Sequence, residues 1–502
     1  MRVLFVNHVN YLQSALPEGI AILSALLKRH GHKVELFDTA FIKPKNYLIN
    51  QIAKNGKKMP PAAIAFYKQT DYSLEDLVSK DPAVDILEEF SKKISEFKPS
   101  LIAVSSMTTN YYQSLEMIQK IRPKCKVIFG GVHPTLMPES VINEDVIDYV
   151  CVGEADEALV ELCEYLDKNK DTSNIRNLYL KVKKGRKVII IKNKLRPFVN
   201  LDTLPPPDLS IFDHRYFFRP FLGKIYKGIY MSTARGCPRG CAYCVNNRLR
   251  NIYKECGRRY IRFQSPKIIA RNITYIKKKY GINWYKFSDD TFLLRPLADL
   301  LKLKKLLKPL HIMFGCSVDP VTVTEEKVKA AKEMGCVSMS MGLETGNEKI
   351  RKYVLGRNIS NNQIFEAVRI MRKYNIKIST FNMIGLPGET KENIFETIKL
   401  NKKLNIPDAN VYVMYPFPGT KIYEDFHISR KKFKNIPAME EAYLFNLSNV
   451  KNEELLYFLR TFNLYLVLPE KYWQKIEKAR KSPKLYTVLI QIAQEIINKN
   501  LD

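Results

Sequence analysis

The sequence predicts an α/β chain: an amino-terminal doubly wound, Rossmann-like domain, then a partial (β/α)6 barrel, then a helical carboxyl-terminal extension. Three observations carry this expectation. Short apolar strands alternate with amphipathic helices over the first 200 residues, three consecutive prolines (Pro205, Pro206, Pro207) interrupt the pattern, and six more strand-and-helix units follow before a basic, aromatic end. Strands that are apolar throughout and joined by helical crossovers belong to a parallel sheet buried on both faces. With 502 residues, 46% of them hydrophobic, the chain can bury at least two cores.

In the first domain, residues 1–200, the expected strands are VLFVNH (3–8), VELFD (34–38), LIAVSS (101–106), VIFGG (127–131) and YVCVG (149–153). Between the first two, GIAILSALLKRHGHK has helical spacing and stops at Gly31. The next gap exceeds what a crossover needs, and a pair of inserted helices is expected within about residues 40–97. A hairpin over 177–193 turns at Gly185, and a proline-rich linker, 201–222, marks the boundary, because proline continues neither a helix nor a central strand. Such sheets bind ligands at the carboxyl ends of their strands. Here those loops begin at Asn7, Ser106, Gly130 and Gly153. Gly130 and Gly131 either let the backbone pass close to a large flat ligand or serve as turn formers.

The second domain, residues 223–430, offers GIYMSTA, YKFSDD, HIMFGCSVD, SMSMGLET, KISTFNMIG and DANVYVMYP as strands. An active site on such a barrel lies at the carboxyl ends of the strands. In the extension, 431–502, Tyr443, Phe445, Tyr457, Phe458 and Tyr465 either line a hydrophobic cavity or form the packing face of the helices.

The strongest chemical signal is STARGCPRGCAYCVNN, which sets Cys237, Cys241 and Cys244 at C-x3-C-x2-C just after the first barrel strand. Three soft thiolates on one loop suit three irons of a 4Fe-4S cube and leave the fourth iron open to a small molecule. A zinc site would ask for a fourth protein ligand, usually from a second pair, and no nearby cysteine or histidine repeats a pair spacing. With Tyr243 before its last cysteine, this motif resembles that of the radical S-adenosylmethionine (SAM) superfamily. PEG near Pro17, GGVHPT at Gly130 and VGEADE at Val152 resemble the cobalamin-binding domain that precedes the radical core in one branch of that superfamily.

The resemblance covers about residues 1–430. It implies a 4Fe-4S cluster on Cys237, Cys241 and Cys244, SAM chelated to the open iron, and cobalamin in the first domain. It implies SAM contacts at Tyr243, Asp289, Asp290, Glu344, Ile384 and Gly385. Asp289 and Asp290 serve equally as helix caps when read alone. Cobalamin contacts are expected at Asn7, Ser106, Thr108, Gly130, Gly131, His133, Gly153 and Glu154. The D-x-H-x-x-G signature of a lower-axial histidine is absent, and His8 lacks that frame, which implies cobalt without a protein imidazole.

The activity implied is methylation of an unactivated carbon, or phosphorus, through a 5′-deoxyadenosyl radical and methylcobalamin. A cobalamin-binding cyclase, oxidase or rearrangement enzyme without methyl transfer is the alternative. A tRNA methylthiotransferase would need further cluster cysteines, and Cys125, Cys151 and Cys163 do not sit at matching strand ends. A cobalamin-linked sensor would leave three intact cluster cysteines unexplained.

Lysine and arginine number 81 against 51 aspartate and glutamate, a formal charge of +30. The lysines are dispersed over KKK, KLKKLLK and RKKFKN, which reads mostly as solvated helix faces; nucleic acid is not an expected partner. A small-molecule, lipid, sugar or peptide substrate, an external one-electron reductant such as flavodoxin or ferredoxin, and at most peripheral membrane contact are expected. No apolar run of about 18 residues and no leader is seen, so the expected location is cytoplasmic. Nine cysteines, three clustered, do not form a disulfide framework; Cys316 and Cys336 read as core thiols, and Cys256 lies beside two arginines.

Overall fold

A computed structural model describes residues 1–13, 15–45, 82–185, 187–221, 224–256, 259–436 and 439–501. The first sheet runs β2-β1-β3-β4-β5-β6-β7. Its strands are β1 (Arg2–Asn7), β2 (Lys33–Asp38), β3 (Leu101–Ser105), β4 (Lys126–Gly130), β5 (Tyr149–Cys151), β6 (Leu178–Lys184) and β7 (Lys187–Lys192). The first five pair in parallel, in the order 2-1-3-4-5, and β6 and β7 extend the edge as an antiparallel hairpin. The strand direction of travel reverses between β1 and β3, so their carboxyl ends flank a crevice. The apolar runs are central because helices cover both faces: Leu4, Val6, Ile102, Val104 and Phe129 are buried on one side, Val3, Phe5, Leu101, Ala103 and Ile128 on the other.

The expected insertion is described only in part. The helix Ile86–Phe97 is capped by Asp85, whose carboxylate accepts the Leu87 and Glu88 amides. Residues 46–81, where the rest of the expected helical pair falls, lie outside the described residues.

The second sheet runs β16-β15-β14-β13-β12-β9-β8 and does not close. The six expected strands are β9 (Lys224–Met231), β12 (Trp284–Phe287), β13 (Met313–Val318), β14 (Cys336–Glu344), β15 (Lys377–Ile384) and β16 (Ala409–Val413), all parallel. Beyond these, β8 (Phe218–Phe221), inside the expected linker, was not foreseen and pairs antiparallel with β9. A separate ribbon pairs β10 (Ala234–Arg235) with β11 (Arg262–Phe263).

The linker is bound to both domains. Ser24 donates to Asp208 at 2.7 Å, and the Tyr216 hydroxyl donates to Asp38 at 2.8 Å. Leu201, Leu204, Leu209 and Phe212 join the helices of the first domain to the layer between the second sheet and its helices in one continuous apolar cluster. In the extension, the helix Asn452–Val467 packs on the helix Lys391–Lys403 and on β16. Phe445, Tyr457, Phe458 and Tyr465 are buried there beside Ile394 and Ile398 and form the packing face; none of them lines either cavity described below. No helix among the described residues is long and apolar enough to cross a membrane.

Candidate active site

The cysteine loop leaves β10 through Gly236, whose φ of +96° and closeness to the Tyr260 carbonyl, 2.6 Å from where a Cβ would sit, admit only glycine. It ends at Cys244, the N-cap of the helix Val245–Ile252, where the helix dipole favours a thiolate. A second segment lies against it: the Ala242 amide donates to the Leu355 carbonyl at 2.9 Å. Arg357 Nη1 stands 3.7 Å from Cys241 Sγ, and Asn246 Nδ2 stands 3.8 Å from Cys244 Sγ. Donors aimed at sulfur are what cluster-bound thiolates accept. Burial pushes the Cys244 thiol up to about 11 and raises Cys237 as well, so iron must displace protons to bind. Among the described residues no group of three such side chains is arranged for a single ion; a cube, which takes each thiolate on a different iron, needs them spread more widely. The donor set fits a 4Fe-4S cluster.

Beside the loop, Tyr243 donates to Glu344 Oε1 at 2.9 Å, and Arg357 lies 3.8 Å from Glu344 and 3.5 Å from Asp319. Arg239 donates twice to Asp319, at 3.0 and 3.1 Å. Glu344 has a φ of +68°, a strained conformation for a non-glycine residue that persists where the surroundings over-determine it. Burial raises its carboxyl pKa, opposed by Arg357 and Tyr243. Tyr243 and Glu344 open on a cavity of about 240 Å³ shared with Phe381, Met383, Tyr415 and Met439.

The other residues expected near SAM are placed differently. Asp289 is turned inward: it accepts from the Thr233 amide and hydroxyl and, at 2.9 Å, from the Ala234 amide, and burial lifts its pKa to about 6. It holds the end of β9, with both carboxylate oxygens engaged by Thr233 and Ala234. Asp290 is exposed and accepts from Asn246 at 2.6 Å. Ile384 is fully buried, and the Gly385 amide is taken by Glu389 at 2.6 Å.

A larger cavity, about 340 Å³, lies between the strand ends of the first sheet and the end of β9. Gly131, Gly153 and Glu154 line it, as do Glu18, Gly19 and Ser232. Gly131 has φ +104°, with a Cβ position 2.5 Å from the Ser106 carbonyl, whereas a Cβ on Gly19 would meet nothing within 4 Å and would project into open space. The Ser106 hydroxyl is buried without a partner. These features fit a large, flat ligand. Glu18 closes one wall, its carboxylate bound to the Ser232 amide and hydroxyl at 2.6 Å each.

Five expected cobalamin contacts, Asn7, Ser106, Thr108, Gly130 and His133, do not line this cavity. Asn7 bonds to Asp38 at 3.1 Å, and His133 is buried, stacked on Tyr111 at 4.1 Å and 3.1 Å from Thr108. Gly130 is packed against Cys151. No histidine lines the cavity among the described residues: His8 is buried beside helix Thr108–Ile121, and burial lowers its pKa to about 4. Sequence reasoning missed Arg357, Arg239, Arg235 and Glu18. A single arginine or glutamate carries no period, and only the fold brings each to the cleft.

The comparisons agree with this geometry. The radical SAM superfamily matches residues 231–420 and the B12 binding domain matches residues 62–163. The chain carries a radical SAM domain preceded by a B12 binding domain. It is 29% identical over 386 residues to an uncharacterized methyltransferase of Pyrococcus horikoshii, covering 74% of this chain and 79% of that one. It is 22% identical over 385 residues to the anaerobic magnesium-protoporphyrin IX monomethyl ester cyclase of Rubrivivax gelatinosus, covering 73% of this chain and only 66% of the cyclase. Among solved structures, the radical S-adenosylmethionine methyltransferase TsrM of Kitasatospora setae, solved with cobalamin and a 4Fe-4S cluster, aligns with a TM-score of 0.62 at 14% identity, over 99% of this chain and 98% of that one. At that identity the agreement is one of fold.

Proposed function

We propose that this radical SAM enzyme is a cobalamin-dependent methyltransferase acting on an unactivated carbon, or on phosphorus. The observation that carries the reading is the position of the larger cavity. It is walled on one side by the glycine loops of the first sheet and on the other by Ser232, Thr233, Ala234 and Arg235, the residues that lead into the cysteine loop. Bound there, cobalamin supplies a transferable methyl group, and the cluster with SAM supplies a radical that abstracts hydrogen.

The chain's own residues bind, orient and shield. Cys237, Cys241 and Cys244 hold the cluster on a loop fixed by Gly236 and by the Leu355 carbonyl. Tyr243 and Glu344, coupled to Arg357, present the polar rim on which SAM is oriented. Phe381, Met383 and Tyr415 give the neighbouring cavity an apolar lining from which water is excluded. Among the described residues no histidine lines the larger cavity, so a corrinoid held there by the glycine loops would be held without a protein imidazole and would supply the methyl group. The substrate is a small molecule, lipid, sugar or peptide, and an external one-electron reductant such as flavodoxin or ferredoxin feeds the cluster.

The test is anaerobic reconstitution with iron, sulfide and hydroxocobalamin, then product analysis after incubation with SAM and a strong reductant. S-adenosylhomocysteine together with 5′-deoxyadenosine supports methyl transfer. 5′-Deoxyadenosine alone, with corrinoid retained, favours the cyclase-like alternative that the Rubrivivax relative suggests. Iron without corrinoid in the protein peak overturns the cobalamin reading.

A further inference from the structure

Both ends of the cysteine loop are anchored on one short stretch of the first domain, residues 153–156. On the amino side, Arg235 lies two residues before Cys237 and donates to both oxygens of Asp156, at 2.7 and 3.0 Å. It also stands 3.2 Å from Glu154. Its partner across the ribbon, Arg262, donates to Glu154 at 3.2 Å and to the Val199 carbonyl at 3.1 Å, with its guanidinium 4.0 Å above the Phe198 ring. On the carboxyl side, the helix that begins at Cys244 ends at Tyr253. The Tyr253 hydroxyl accepts the Glu154 amide at 2.6 Å and fills the space a Cβ on Gly153 would need.

The same stretch is a wall of the larger cavity, which Gly153, Glu154, Asp156 and Arg235 all line. Whatever fills the cavity therefore touches the residues on which both ends of the loop are held. Bidentate arginine–carboxylate pairs in a partly buried site have a fixed fork geometry, so a shift in the carboxylates moves the arginine with them.

We propose that residues 153–156 couple the two cofactor sites: corrinoid in the cavity fixes Asp156 and Glu154, these fix Arg235 and Tyr253, and the cluster loop so held binds SAM more tightly. Arg235 and Tyr253 are positioning residues in this scheme, and the inference rests on the cobalamin and SAM reading above. Linkage makes it reciprocal, since SAM must tighten corrinoid by the same factor.

The experiment uses full-length protein with its cluster oxidised. The dissociation constant of radiolabelled SAM is measured by equilibrium dialysis with and without saturating hydroxocobalamin. Corrinoid should tighten SAM by about 5-fold or more, the usual floor for coupled sites. In Tyr253→Phe, which keeps the ring, and in Asp156→Asn, the ratio should fall towards one while iron stays near about four per chain. The electron paramagnetic resonance line shape of the reduced cluster should change on adding corrinoid in the wild type and not in the variants, a signature that mere loss of stability would not reproduce. Corrinoid that binds without altering SAM affinity overturns the proposal, as does coupling that survives in both variants. Failure of corrinoid to bind overturns the coupling and the cobalamin reading together, and the corrinoid assay on the protein peak distinguishes that result from the first.

Discussion

The two walls of the central cleft are built by opposite means. In the first-domain wall Gly19, Gly131 and Gly153 carry no side chain and leave room between Glu18, Glu154 and Asp156, and the Ser106 hydroxyl beside Gly131 is buried without a partner. The barrel wall is made of charge: Arg357, Glu344, Tyr243, Asp319 and Arg239 form a chain of ion pairs and hydrogen bonds around the cysteine loop. The difference teaches what each side must do. A wide planar ligand needs room and close backbone, whereas a cluster loop and a zwitterionic ligand need fixed charges in a low-dielectric place.

Substitutions on each wall should therefore fail in different ways. Cys241→Ala removes one of three thiolates and should abolish SAM cleavage to below about one part in a thousand, with iron lost in the same assay and corrinoid binding retained. Gly19→Leu fills the other wall: a Cβ there meets no protein atom, and leucine favours a helix over glycine by up to about 1 kcal/mol. Corrinoid retained on gel filtration should fall at least about ten-fold by steric exclusion, while the melting temperature holds or rises. Loss of both would break the contrast drawn here.

Arg357→Ala leaves Glu344 buried beside one cation fewer. It should cost about 3–5 kcal/mol in urea unfolding and weaken SAM binding, with corrinoid affinity little changed. Glu389 sharpens the comparison through pH. Burial raises its carboxyl from 4.5 to about 8, against the amides of Leu386 and Gly385. The folded chain thus keeps a proton that the unfolded chain has released, and stability from this group falls as pH rises between those values, by about 1.4 kcal/mol per unit. Glu389→Gln should flatten that slope, so the variant gains on the wild type between pH 6 and pH 8 in urea unfolding. The smallest effect is expected for His133→Phe. The ring stacks on Tyr111 and does not line the cavity, so corrinoid affinity should change by less than about two-fold, below the effect of losing a hydrogen bond to the ligand.

Local pattern was enough to mark both sheets. A parallel strand buried on two faces is apolar along its whole length, so VLFVN, LIAVS and VIFG could be placed to within a residue. The strand β8 escaped because FRPF follows a proline-rich run and has no alternation; its pairing with β9 is a non-local hydrogen-bonding choice. The cysteine loop was equally legible, since three ligands within eight residues need no help from distant chain. The aromatic residues of the extension were legible as a face, yet only their burial against Ile394 and Ile398 decided what that face packs against.

By itself, then, the sequence determined the elements whose causes are local: strand runs, helix caps, proline breaks, and the cluster motif. Tertiary structure decided which polar groups meet. Asp289 and Asp290 are neighbours in sequence, yet one is buried on Thr233 and the other is exposed and bonded to Asn246, because successive residues at a strand end point opposite ways. Asp156 and Arg235 come from distant stretches of the chain, and Glu344 and Arg357 from the two ends of one intervening segment; what pairs them is the low-dielectric cleft between two sheets, where an unpaired charge would be too costly to keep.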